Sequence, residues 1–198
     1  MAGIVGCASK PVAPPVSAFV ETYFDAAFTW SPTYGTAVGF HQYDRQMEVR
    51  SAEAFARRIE TLKAQLKAAE ALAAAQPAGD DAIDLELIQS ALRAELLELE
   101  TVQGWRRNPM EYVGAAGGSV DLLMKRDFAP AKERLARVTA RLAAAPALIA
   151  AMKANVSNPP KEFTDLAIRV AAGSVGFLEK DVAGWAKQVA LKSIFRPW

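Results

Sequence analysis

The chain has a single imidazole, His41, and a single thiol, Cys7. Their neighbours decide what chemistry either could support. His41 is followed closely by Tyr43 and Asp44. A carboxylate beside an imidazole orients it as a general base, but catalysis also requires a nucleophile or held water and a site for the developing charge. The stretch Gly39 to Asp44 reads as an irregular loop, so His41, Tyr43 and Asp44 are expected to form a ligand-binding or structural corner, with the imidazole satisfied by a backbone carbonyl. Asn108, in Trp105-Arg106-Arg107-Asn108-Pro109, marks a second corner: either a recognition point or the cap of a short helix with Trp105 filling a gap. No residue is assigned a catalytic role.

Metal chemistry fares worse. One His and one Cys exclude the usual zinc spacings, so no metal or cofactor is expected in this chain. Glu95, Glu98 and Glu100, with Asp84 and Glu86 upstream, suggest paired carboxylates. A di-iron bundle needs Glu-x-x-His, however, and no His follows; an outward charged face is the simpler reading. Ser119 follows Gly117-Gly118 but lacks the Gly-x-Ser-x-Gly frame, and no Lys-Ser/Thr pair follows the glycines to make a phosphate loop.

Charge and hydropathy narrow the partners. Lys plus Arg number 23 against 22 Asp plus Glu, a formal charge of +1, which gives no basic face for nucleic acid. No apolar run approaches the roughly 20 residues of a membrane-spanning helix, so the only membrane contact expected is a lipid anchor at Cys7. Ile4-Val5-Gly6-Cys7 matches a bacterial lipobox, and Ala8 to Pro15 is small and Pro-rich, suited to an extended tether. Only Met1 to Gly6 precede Cys7, without a basic region or full apolar core. Either the start is displaced, or the chain is a fragment, or the cysteine is incidental and the protein cytoplasmic. The lipid-anchored reading places it at the cell envelope.

The elements carrying these residues read as helices throughout. Ser17 to Trp30 aligns Phe19, Tyr23, Ala27 and Trp30, and Ser31-Pro32 starts a short helix to about Val38. Ser51 caps a helix to about Ala74, with Phe55, Ile59, Leu62, Leu66, Ala69 and Ala73 as its seam. After the Gln76 to Asp80 turn, a helix to about Gln103 turns Leu85, Ile88, Leu92, Leu96, Leu99 and Val102 inward, with Gly104 as its cap. Asn108-Pro109 opens a short helix that Ala115 to Ser119 interrupts. From about Pro130 a helix carries Ala131, Leu135, Val138, Leu142, Ala145, Ile149 and Met152, and Pro146 predicts a break or kink near Ala145. Glu162 to Ala190 forms the last, with Phe163, Leu166, Val170, Phe177 and Trp185 inward. The expected fold is all-α, a multi-helix array of antiparallel helical hairpins. It divides into residues 1–16 (lipobox-like start and tether), 17–190 (helical region) and 191–198 (atypical tail).

Several of these blocks, in this order, resemble the DUF885 family of bacterial proteins. Gly39-Phe40-His41-Gln42-Tyr43-Asp44-Arg45 is similar to its Gly-x-His-x-Tyr-Asp signature. Asp84-Leu85-Glu86-Leu87-Ile88, Glu95, Asn108-Pro109 and Tyr112 resemble its next block. Asp127-Phe128-Ala129-Pro130, the helix containing Pro146, and Asn155 to Pro160 resemble the third. The resemblance implies the N-terminal part of a larger helical fold, exported or lipid-anchored, whose full-length relatives look like zinc-dependent peptidases with a later His-Glu-x-x-x-x-His-like motif. No residue here matches that motif, so zinc is expected only in the full-length relatives and the chain is expected to be inactive alone. Its expected partners are a missing C-terminal region or further copies of itself. The alternative is a stand-alone helical binding or scaffold module of the bacterial cell envelope.

Overall fold

The computed structural model describes residues 16–194, with side chains through Leu191; Cys7, the tether and residues 195–198 of the 191–198 tail lie outside the described residues. All the regular structure described is helical, with no strand among these residues. Helix α1 (Val16–Trp30) leads into α2 (Pro32–Ala37), which starts with proline at its first position, where a missing N–H costs nothing. A 3-10 turn, His41–Tyr43, follows. Ser51 caps α3 (Ala52–Ala73) by accepting from the Ala54 amide. Helix α4 (Asp80–Leu96) packs along α3; Glu70 of α3 pairs with Arg93 of α4, and Lys63, earlier on α3, pairs with Glu100, just beyond the end of α4. Phe55, Leu62, Ala69, Leu85, Ile88 and Leu92 from this pair form the main core with Phe19, Trp105, Tyr112 and Leu148.

Beyond α4 the chain widens into a π-helical turn, Leu97–Val102, and then a 3-10 turn, Gly104–Arg106. Helices α5 (Met110–Gly118), α6 (Asp121–Lys125), α7 (Ala131–Asn155), α8 (Lys161–Phe177) and α9 (Ala183–Ile194) complete the order. A second π turn, Leu178–Val182, joins the last two. A smaller core of Val120, Leu123, Val138 and Val182 holds α6, α7 and the C-terminal helices together.

Five expectations are corrected. Pro146 does not break its helix, because α7 runs through it; the proline lies on the exposed side, where water can meet the carbonyl its ring displaces. The Ala115 to Ser119 glycines do not interrupt α5, which extends to Gly118; Gly117 is buried, and a Cβ there would come 2.7 Å from the Cβ of Ser174 on α8. The turn after the π segment is made by Gln103 in the left-handed region (φ 53°), with Gly104 starting the next turn. Val102, Phe163 and Leu166, expected inward, are exposed. Finally, α7 is long and apolar enough by composition to cross a bilayer, with an 18-residue stretch of mean hydropathy 1.4. Its many alanines raise the average, while its Arg141 is wholly buried in polar contacts within the fold.

Candidate functional site

The His41 corner is built where α2 ends. Gly39 takes φ +99°, open to glycine at no steric cost, and turns the chain back so that the Phe40 amide donates to the Gly35 carbonyl at 2.9 Å. Gly35 in turn lets the Tyr43 ring lie against the backbone, since a Cβ there would meet Tyr43 Cδ2 at 3.0 Å. The following 3-10 turn directs Asp44 inward to 0% exposure.

Both oxygens of Asp44 are taken. Oδ1 accepts from the Thr36 hydroxyl at 2.8 Å, and Oδ2 accepts from Arg137 Nη1 at 2.8 Å. His41 Nδ1 lies 3.1 Å from the same Oδ2, and its ring stacks on Phe128 at 3.8 Å. Arg137 also passes over Phe128, at 5.2 Å from the ring centre. Behind them Arg141, fully buried, donates Nε to the Gln46 carbonyl (2.9 Å) and Nη1 to the Ser119 carbonyl (2.6 Å). Its Nη2 reaches the Thr36 hydroxyl (2.7 Å) and the Tyr43 carbonyl (3.1 Å). Burial lowers the Arg141 pKa, opposed by the charges of Asp44 and Glu48. The network therefore fastens the loop after α2 onto α7. The imidazole, held by a carboxylate, is partly exposed, and among the described residues no nucleophile is hydrogen-bonded to it. Such a couple orients a ring but does not complete a catalytic centre.

The structure thus brings His41, Tyr43 and Asp44 together, with the carboxylate of Asp44 where a carbonyl was expected to hold the imidazole. Asn108 stands apart: its Oδ1 accepts from the Met110 amide at 3.0 Å, at the start of α5. Nearby, Trp105 Nε1 donates to the Leu99 carbonyl and the Tyr112 hydroxyl donates to the Trp105 carbonyl. Sequence reasoning missed Thr36, Phe128, Arg137 and Arg141. The i,i+4 spacing of the two arginines was visible, but the partners that tie them to this corner (Thr36, Tyr43, Asp44 and Gln46) lie 93 to 105 positions earlier in the chain.

The remaining chemical candidates have structural duties. Glu95 accepts both Arg58 Nε and Nη2, at 2.8 and 2.7 Å, a fork-to-carboxylate geometry. Glu98 accepts from the Gly104 amide, Glu100 pairs with Lys63, and the Ser119 hydroxyl donates to Ala116. A fourth arginine, Arg50, lies 3.8 Å over Trp30 and donates to the Trp30 carbonyl; burial pushes its pKa down to about 10, leaving it charged at neutral pH. Among the described residues no group of three or more His, Cys, Asp or Glu could hold a metal ion.

The described residues thus form an all-helical fold whose polar interior is organised by buried arginines. The chain belongs to the family described as bacterial protein of unknown function (DUF885), whose model matches residues 32–194. No curated protein matches it. A solved structure described as a "putative lipoprotein of unknown function" from Shewanella oneidensis is similar, with a TM-score of 0.78 and 25% identity. That match covers 86% of this chain and 31% of the other, so the chain spans about a third of that protein's length.

Proposed function

We propose that these residues form the N-terminal helical part of a larger DUF885 protein of the cell envelope, a framework that supports or covers a cleft whose reactive groups lie in sequence beyond it. The observation that carries this reading is the state of α8. Among its described residues Ala167 is buried, while Phe163, Leu166, Ile168 and Val175 are exposed at 41%, 41%, 62% and 53%. Beside it, Val113, Leu142, Ile149, Ala171, Val175 and Leu178 line an apolar groove of about 710 Å³ between α5, α7 and α8. A helix with so broad an apolar arc is normally covered, and the Shewanella oneidensis protein has ample further chain to cover it.

The anchoring of such a protein through Cys7 fits the lipoprotein description of that relative. The resemblance of full-length relatives to zinc peptidases implies hydrolysis in the complete molecule, with zinc held outside this chain. The purified chain should therefore neither bind stoichiometric zinc nor cleave peptides; chelator-sensitive cleavage by it would overturn the reading. Light scattering tests the uncovered face. The chain should self-associate with rising concentration, and Ile168→Glu with Val175→Glu should reduce this without lowering its thermal midpoint. A monodisperse monomer at all concentrations would favour a stand-alone helical module whose own groove receives a partner. A downstream reading frame that continues into His-Glu and a later His would support the larger protein.

A further inference from the structure

A second concave surface lies on the opposite end of the chain order, on α1 and α2, and has a different chemistry. Glu21, Phe24, Asp25, Tyr34, Val38 and Phe40 surround a cavity of about 510 Å³. Phe28, 4% exposed, forms its floor. The rings of Phe24, Tyr34 and Phe40 stand around it, with centroids 5.7, 6.0 and 4.7 Å from that of Phe28. Each of the three remains open to solvent, at 43%, 58% and 45% exposure. Helical spacing puts Glu21 and Asp25 on the same face of α1 as Phe24 and Phe28. The described part of α1 carries no basic residue. No ion pair or hydrogen bond ties either carboxylate to another described residue; Arg57 shares an adjoining cleft with Asp25 without reaching it.

We propose that this aromatic cup binds an organic cation, an ammonium or guanidinium group bearing apolar substituents. Aromatic faces attract such cations electrostatically, and rings with adjoining carboxylates attract them more strongly. The carboxylates also argue against a purely apolar occupant. Covering them without a counter-charge would strand two ionised groups away from water, which is strongly unfavourable. The groove beside α8 has no such pair of acids among its lining residues, so the two surfaces call for different occupants.

The test uses the full chain and reads the aromatic resonances of Phe24, Tyr34 and Phe40 by NMR during titration. The probes are choline, its uncharged carbon isostere with tert-butyl in place of trimethylammonium, and N-acetyl-arginine amide. Saturable shifts with either cation, on the order of millimolar affinity, and at least roughly threefold weaker shifts with the neutral isostere are expected. Preference for choline would assign the site to free quaternary amines; preference for the arginine derivative would assign it to a peptide side chain. Asp25→Asn and Glu21→Gln, both at exposed positions, should each weaken binding about two- to fivefold. Phe24→Leu, which keeps apolar volume but removes a ring, should weaken it by a similar factor, about two- to fivefold. Equal binding of the neutral isostere, indifference to the carboxylate substitutions, or no shift with any probe would overturn the proposal.

Discussion

Replacing Arg141 with methionine should test the reading of the His41 corner most directly. Methionine keeps much of the aliphatic stem and removes the donors. The guanidinium now serves the carbonyls of Tyr43, Gln46 and Ser119 and the hydroxyl of Thr36, all at 2.6–3.1 Å. Thr36 still donates to Asp44 and the Tyr43 carbonyl still accepts from the Gln46 amide, so those losses are small, but the carbonyls of Gln46 and Ser119 are left without this donor. A buried acceptor left without a partner costs about 1–3 kcal/mol. Partial relaxation toward water reduces the upper figure, giving a loss for the two of about 2–5 kcal/mol, overlapping the cost of breaking other buried charge contacts. For a domain of this size, at about 2–4 °C per kcal/mol, that corresponds to a fall in thermal midpoint of roughly 4–20 °C. Urea denaturation of the variant should show a lower midpoint with an unchanged slope. Hydrogen exchange should accelerate first at the amides of Tyr43, Asp44 and Gln46, because these belong to the clamped loop. Arg141→Lys should recover less than half of the loss, since one ammonium cannot reach four acceptors in a planar fork. A loss below about 1 kcal/mol, or uniform exchange with no preference for this loop, would refute the argument that the arginine positions it.

Three further outcomes follow from single features. Pro146→Ala should stabilise the chain by about 1 kcal/mol or more in denaturant titration, since α7 is continuous and alanine restores the missing donor; destabilisation would mean that the proline shapes a required bend. Partial desolvation, with Glu98 beside it, raises the Glu111 carboxyl above its ordinary value, while Arg50 acts in the opposite sense. A raised carboxyl favours the folded state below its unfolded pKa and loses that contribution as pH climbs through the folded one. Glu111→Gln should therefore raise stability at neutral pH by a few tenths of a kcal/mol and flatten the decline just above pH ~4.5; because Glu111 is exposed, solvent limits the size, and an unaltered pH–stability curve would refute the assignment. Gly117→Ala, which in an open helix would stabilise, should instead destabilise by about 1–3 kcal/mol in thermal melts, because the new methyl meets Ser174.

What the sequence disclosed and what it concealed divide along a physical line. Hydrophobic periodicity located α3 to within a residue of its ends and placed the end of the helical run formed by α4 and its π turn within a residue of Val102, because leucines at steps of three and four have one favourable destination. It did not see α4 give way to the π turn after Leu96. Ser51 announced the start of α3 through its side-chain oxygen. Periodicity succeeded only in part on α7: Val138 is buried as expected and Leu142, Ala145 and Met152 pack against the cores, but the buried positions are Arg134, Val138, Arg141 and Leu148. That stripe is offset from Leu135, Leu142 and Ile149, the residues that apolar pattern alone would turn inward. Leu142 and Ile149 border the open groove instead. The α8 helix misled for a related reason: Phe163 and Leu166 have the pattern of core residues, and the described chain leaves them uncovered.

The arginines explain the offset, and they also show how irregular segments are held among the described residues. Short helices and 3-10 turns leave carbonyls that no backbone amide can reach. Arg134 collects those of Leu123, Met124 and Ala129 and pairs with Asp127, serving the end of α6 as Arg141 serves the loop after α2. Both project from one face of α7, two turns apart, so a single long helix supplies donors to two separate breaks in the chain. A planar guanidinium with five donors suits this task, because it can satisfy several divergent carbonyls while its stem packs like an aliphatic residue. Apolar residues at the same positions would fill the volume and strand the carbonyls. The stripe facing the interior of α7 is therefore chosen by where backbone acceptors accumulate, an outcome of tertiary structure that no local periodicity encodes.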